Sequence, residues 1–331
     1  MWWSWVSRLA ALLLLAGCTD AGAPAPPPTV AAYHWQTRLH ATDTLGTNSQ
    51  FRGPSPVNRV RALNLDRLYV KVFDVIWDGQ RPQPTALLEV GDTTGLPPLI
   101  PVVFLTNEVF AHDTPTLATD VALLIRDRFP GDFAEVQFDC DWTARTQVRY
   151  FGFLEQVREA FPGKTISCTV RLHQFRDRAV QGIPPVDRGV LMAYNTGNLD
   201  DWATENSIVD TTIVRAYVKG QPPYPLPLDW AVAVYDWAAV YRRGHFTYLI
   251  NEPNLAELGD TSRFERLGER RYRARRGTYF GGLYLYEDDR LRHEVADTVL
   301  AARTLVLLGR EVQPGAGRVV YYRIGSRLWG H

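Results

Sequence analysis

Apolar residues recur along this chain at two spacings, and the alternation between the two predicts its fold. Short strand-like runs fall at 33–38, 68–77, 99–106, 135–141, 165–173, 189–195, 230–237 and 318–324. Helical spacing appears between several of them. Thr116 to Phe129 opens on an N-cap threonine and sets Leu117, Val121, Leu124 and Ile125 on one face. Thr143 to Phe161 does the same with Tyr150, Phe153, Leu154 and Val157, and stops at Pro162-Gly163. Asp288 to Leu308 reads as a further helix carrying Leu291, Val295, Val299, Thr304 and Leu308. About eight strands with intervening helices or long loops predict an α/β chain folded as a (β/α)8 TIM-type barrel. An open doubly wound sheet is the alternative, but no glycine-rich turn follows the first strand. The stretch from Ala238 to Asp288 is too long for an ordinary connection. Its arginine-rich part, Arg266 to Arg276, reads as a solvated hairpin, with a basic substrate clamp as the other reading. The barrel is therefore expected over residues 31–331 with an inserted hairpin-like segment around 245–285.

The N-terminus has a different pattern. Arg8 precedes the apolar run Leu9 to Ala16, too short to span a bilayer as a stable helix. It ends Leu15-Ala16-Gly17-Cys18, which resembles the bacterial lipobox. That resemblance implies a signal peptide over 1–17, a lipid on Cys18, and an Ala/Pro-rich tether over 18–30. The expected place is the bacterial cell envelope, with the membrane as partner through Cys18. Asp20 does not directly follow Cys18, which in enteric-type sorting favours the outer membrane. A plain signal peptide is the other reading.

Composition removes several function classes. The 331 residues are 46% hydrophobic and 12% aromatic, ample for one large core, and carry 36 basic against 36 acidic residues. A net charge of zero gives no footprint for nucleic acid. Besides Cys18 only Cys140 and Cys168 occur, either reduced and buried or bonded to each other. No Cys/His spacing of metal-site type is present, so no metal or other cofactor is expected.

The densest chemistry lies in Val136 to Thr143, where strand alternation points Asp139 and Asp141 to one face and Phe138, Cys140 and Trp142 to the other. Like charges on one face of a buried strand are costly unless they are used or neutralised. In a parallel barrel the C-terminal strand ends share one opening. The other strands would add Lys71, Asp74, Trp77 and Asp78, then Asn107 and Glu108, then Arg171 and His173. Strands six and seven would add Tyr194 and Asn195, then Tyr235, Asp236 and Trp237. Carboxylates for proton transfer mixed with aromatic faces suit a carbohydrate site.

Phe138-Asp139-Cys140-Asp141-Trp142 resembles the fourth-strand motif D-x-x-D-x-D-x-E of chitinase-type (family 18) glycoside hydrolases. Leu191-Met192-Ala193-Tyr194-Asn195 is similar to their sixth-strand motif M-x-Y-[DN]. The resemblance implies that Asp141 and Tyr194 orient a substrate acyl group and that Asp139 is the middle aspartate. The first aspartate falls on Val136 and the catalytic glutamate on Thr143. A threonine hydroxyl is far too weak an acid to protonate a glycosidic oxygen, so the ordinary mechanism of that family is closed to this chain. Broader similarity, carried by Tyr69 to Asp78, Phe138 to Thr143, Val170 to Gln174, Gly182 to Met192 and Tyr224 to Asp229, is to an uncharacterised family of bacterial envelope lipoproteins with glycosidase-like barrels.

Two functions follow as expectations. In one, a glycan-active enzyme uses Asp141 with a relocated acid, Glu108 or Asp236, while Asp139, Trp142, Arg171, His173, Tyr194, Asn195, Asp74, Trp77 and Trp237 bind the substrate. In the other, the barrel binds glycan or serves as a scaffold without turnover. A structural part in an export assembly is a third reading, resting only on the anchor.

Overall fold

The computed structural model describes residues 28–43, 55–129 and 131–329; the segment with Cys18 and nearly all of the expected tether lie outside the described residues. Eight parallel strands close into a barrel: β1 (Thr29–His34), β2 (Arg67–Trp77), β3 (Leu99–Leu105), β4 (Glu135–Asp139), β5 (Thr165–Arg171), β6 (Arg188–Met192), β7 (Leu228–Ala233) and β8 (Arg318–Tyr322). Closure is made by β1, which pairs with β8 from Thr29↔Arg318 and with β2 from Ala31↔Arg67. The connections carry α1 (Pro56–Ala62), α2 (Leu117–Arg128), α3 (Gln147–Ala160), α4 (Leu172–Arg176), α5 (Arg178–Gln181), α6 (Thr211–Val218) and α7 (Thr298–Glu311). The chain is a (β/α)8 barrel, as the alternation of spacings predicts.

β4 shows how the sequence builds this interior. Its period of two sends Val136, Phe138 and the following Trp142 outward, where Phe138 meets Phe153 of α3 edge-on and Trp142 stacks on Tyr150. The intervening residues point inward as a polar ladder. At the lower end Glu135 accepts from Tyr69 Oη (3.1 Å) and Arg318 Nη1 (2.6 Å). One level up, Gln137 accepts from Tyr33 Oη of β1, three strands away (2.7 Å), and donates to Ser167 Oγ (3.3 Å). Each buried polar group has a partner on another strand, which is what makes a polar core tolerable. Asp139 and Asp141 are the two upper rungs.

Three boundaries differ from the sequence expectation. The run 230–237 is two strands: β7 ends at Ala233, and Tyr235–Arg242 starts an antiparallel sheet of five strands with His245–Asn251, Phe264–Gly268, Arg271–Ala274 and Arg290–Ala296. The insertion thus spans 235–296 rather than 245–285, and has its own core around Val240, Ile250, Phe264, Phe280 and Leu291. The expected helix from Asp288 starts only at Thr298, where Asp297 caps it by accepting from Leu300 N (2.8 Å). Leu291 and Val295 lie four apart, a spacing that fits one face of a strand as well as a helix. Cys140 and Cys168 are buried free thiols. Among the described residues, no helix is long and apolar enough to cross a membrane.

Candidate functional site

Two adjoining cavities of about 360 and 300 Å³ open at the C-terminal end of the barrel and share Arg171, Tyr194 and Asn195. The larger is walled by the rings of Trp35, Phe104, Tyr194, Tyr235, Trp237 and Tyr322. Tyr194 and Tyr322 stack at 5.4 Å, and Tyr235 meets Tyr322 and Trp237 edge-on. Asn195 adopts a left-handed backbone (φ +55°), which asparagine tolerates, and its Oδ1 accepts from Tyr235 Oη at 2.7 Å. Asp141, His173 and Tyr217 line the smaller cavity.

At the base of the larger cavity Asp139 is 4% exposed and accepts from Thr169 Oγ1 at 2.6 Å. Burial pushes its carboxyl up to about 6; the Arg171 cation opposes that rise and the Asp141 charge adds to it. Asp141 has both oxygens taken by Arg171, whose Nη2 donates at 3.0 Å and whose Nε donates to the other oxygen. Half-burial lowers the His173 imidazole below its usual range, with Asp141 pulling the other way.

Four of the predicted site residues, Asp236, Glu108, Trp142 and Trp77, lie elsewhere. Asp236 alternates away from Tyr235 and Trp237; it is 1% exposed and paired with Arg327 (Nε to Oδ1, 3.1 Å) and His293 (Nε2 to Oδ2, 2.8 Å). Glu108 is exposed on a 3₁₀ turn, Asn107–Ala111, and lines neither cavity. Trp142 is fully buried against α3, its indole N–H given to the Gln181 carbonyl at 2.8 Å. Trp77 faces the barrel flank, whereas Asp74, bound to Lys71 Nζ (2.9 Å), stays on the mouth side, where its charge acts on Asp139 and Tyr322. One cause turns Asp74 inward and Trp77 outward. The β2–β3 register shifts between Lys71 and Phe73, so a bulge at Val72 turns Lys71 and Asp74 to the same side although they are three apart. Phe73, Val75 and Trp77 are thereby set toward the flank.

Asp139, Asp141, Arg171, His173, Tyr194, Asn195 and Trp237 are brought together as expected. Sequence reasoning missed Trp35, Asn251, Tyr322 and Arg323. The signal for three of them was present, since Tyr322 ends strand eight and Trp35 and Arg323 directly follow strands one and eight. Asn251 comes from the far strand of the insertion, which no local pattern links to the mouth. At the position of the missing glutamate, Thr143 supports the turn into α3: its backbone N–H donates to Thr146 Oγ1 at 3.0 Å, which in turn donates to Asn107 Oδ1 at 2.5 Å.

Trp237 is held by the insertion. Its indole N–H donates at 3.0 Å to Glu294, which also accepts from Ser207 N (2.7 Å) and Arg292 Nε (2.5 Å). A carboxylate with donors from three elements fixes the ring as a rigid wall of the mouth.

No family model matches this chain, and no curated protein matches its sequence. Among solved structures, the spore cortex-lytic enzyme SleL of Bacillus cereus aligns with a TM-score of 0.47 and 16% identity, over 90% of this chain and 71% of that one. A chitinase of Chromobacterium violaceum aligns with a TM-score of 0.49 and 11% identity, over 90% and 95%. Similarity at this level is to overall fold and carries no argument about chemistry; the barrel assignment rests on the strand order above.

Proposed function

We propose that this protein is a glycan-binding (β/α)8 barrel held in the bacterial envelope by a lipid on Cys18, and that it does not hydrolyse glycosidic bonds. The observation that carries the binding reading is the mouth itself: six aromatic rings with Asp139, Asn195 and Asn251 among them. Aromatic faces take the C–H faces of pyranose rings while the polar groups take hydroxyls. Glycoside hydrolysis in its usual form needs two carboxyl groups working as a pair, one to give a proton and one to act as base or nucleophile. The carboxyls lining the mouth are Asp139 and Asp141, and Arg171 holds the second with both oxygens engaged. Thr143 replaces the chitinase-type acid, Asp236 is sealed under Arg327, and Glu108 is outside the cavities. The anchor reading is supported by the Leu15-Ala16-Gly17-Cys18 sequence alone.

Isothermal titration of the purified protein with peptidoglycan fragments, chitin oligomers and envelope polysaccharides, with reducing-end release followed on the same samples, tests this. Saturable binding without turnover, weakened in Tyr194→Ala, is the expected result. Turnover abolished by Asp141→Asn would refute the non-hydrolytic reading, and absence of binding to every glycan would refute the site.

A further inference from the structure

The displacement of Trp77 leaves an aromatic residue where the barrel mouth does not need one. Trp77 lies against a separate cavity of about 530 Å³ on the barrel flank, between α2 and the hairpin that joins β2 to the antiparallel strand Pro82–Thr85. We propose that this flank cavity is a second carbohydrate site, taking a neutral oligosaccharide on the Trp77 ring.

Four observations converge. First, the ring is pre-set. His112 stacks on Trp77 at 3.8 Å and 7° yet does not line the cavity, so the rest of the indole is what the cavity meets. Second, the indole N–H has no acceptor among the described residues, as is also true of Trp35, Trp202 and Trp230, and of those three none lines this cavity. A platform with a free donor at its edge suits a ring that is apolar on its face and hydroxylated at its rim. Third, polar groups surround the platform. Asp78 accepts from Gln80 N (2.8 Å) and Arg81 N (2.9 Å), and the turn so fixed delivers Gln80 to the cavity. Asp113 and Asp120 approach from the α2 side, the latter bonded on one oxygen by Thr116 Oγ1 at 2.7 Å. Two aspartates against one arginine in the lining disfavour an acidic sugar.

The fourth observation excludes the main competitor. Pro82–Thr85 is the end strand of its sheet, and a free strand edge invites an extended peptide. Prolines at 82 and 84 strip that strand of two amide donors, so strand addition has no ladder to extend. Ligand recognition here falls to the ring and the polar side chains. The volume is in the range of small-ligand sites, roughly 300–1,000 Å³.

This site is distinct from the mouth, and one titration separates the two. With ¹⁵N-labelled tryptophan, the indole resonances of Trp77 and Trp237 are assigned through Trp77→Phe and Trp237→Phe. They are then followed against cellohexaose, maltohexaose, xylohexaose and chitohexaose. The expected result is a saturable shift of the Trp77 resonance that persists in a Trp35→Ala/Trp237→Ala mouth variant. Gln80→Ala should weaken that isotherm, and Trp77→Ala, placed in the mouth variant and read by isothermal titration calorimetry, should weaken sugar binding by roughly tenfold or more, the scale of a truncated aromatic anchor. Movement of Trp237 with Trp77 unmoved by all four sugars would overturn the flank site and leave the mouth reading intact. Movement of Trp77 alone would do the reverse. A Trp77 shift produced equally by an unrelated extended peptide would overturn the carbohydrate assignment.

Discussion

Replacing Asp139 by asparagine tests how the upper end of the barrel handles charge. The carboxyl is 4% exposed and its pKa is raised from 3.8 to about 6, chiefly by burial. A raised folded-state pKa means that the native protein binds more protons than the unfolded chain between those values. Its contribution to stability is therefore complete below about pH 4 and is lost as pH climbs through about 6. A shift of roughly two units corresponds to about 3 kcal/mol at about 1.4 kcal/mol per unit. His34 works against this in nearly the same window. It is buried, its Nε2 bonded to the Arg38 carbonyl at 2.9 Å, and burial lowers its pKa from 6.5 to about 4. Its contribution is present above about pH 6.5 and is lost as pH falls toward 4. The two slopes oppose each other, so the wild type masks both. Urea denaturation from pH 4 to 8 of wild type, Asp139→Asn and His34→Gln isolates each group as a difference between curves. Relative to wild type, Asp139→Asn should gain about 3 kcal/mol between pH 4 and 7 and then level off. His34→Gln should lose a comparable amount over the same range. A difference curve for Asp139→Asn that stays flat from pH 4 to 7 would refute the placement of this carboxyl in a desolvated cavity base.

Two further outcomes follow from the same contacts. Arg171→Met removes the largest influence holding Asp139 down, so the Asp139 carboxyl, followed by ¹³C NMR titration, should move above 6; an unchanged value would show that the cation does not act across the mouth. Asp236→Ala leaves Arg327 and His293 without their shared carboxylate and should lower stability by about 3 kcal/mol in urea. Affinity of the folded fraction for a mouth ligand should stay as in wild type, since Asp236 faces away from that cavity.

What was legible in the sequence was what local spacing encodes. The period of two in Glu135 to Trp142 marks β4 and divides its inward ladder from its outward apolar face. Helical spacing locates α2 and α3 to within a few residues, and a series of such strand and helix signals implies the closed barrel. From that closure, the gathering of Asp139, Arg171 and Tyr194 at one mouth follows, because parallel strands put their C-terminal ends at the same side.

Tertiary structure decided which of those groups remain available and where the odd ones go. The bulge at Val72 reverses the faces of β2 beyond it, and one unpaired residue was enough to send Trp77 from the expected mouth to the flank. The insertion turns Asp236 toward Arg327 of the C-terminal tail and brings Asn251 and the Glu294-anchored Trp237 to the mouth. Arg171, thirty residues away in sequence, closes on Asp141. Side-chain periodicity is set by bonds within a few residues, so sequence carries it directly. The partner of a charge is set by chain closure over tens to hundreds of residues, so only the folded chain reveals whether a carboxylate is free or taken.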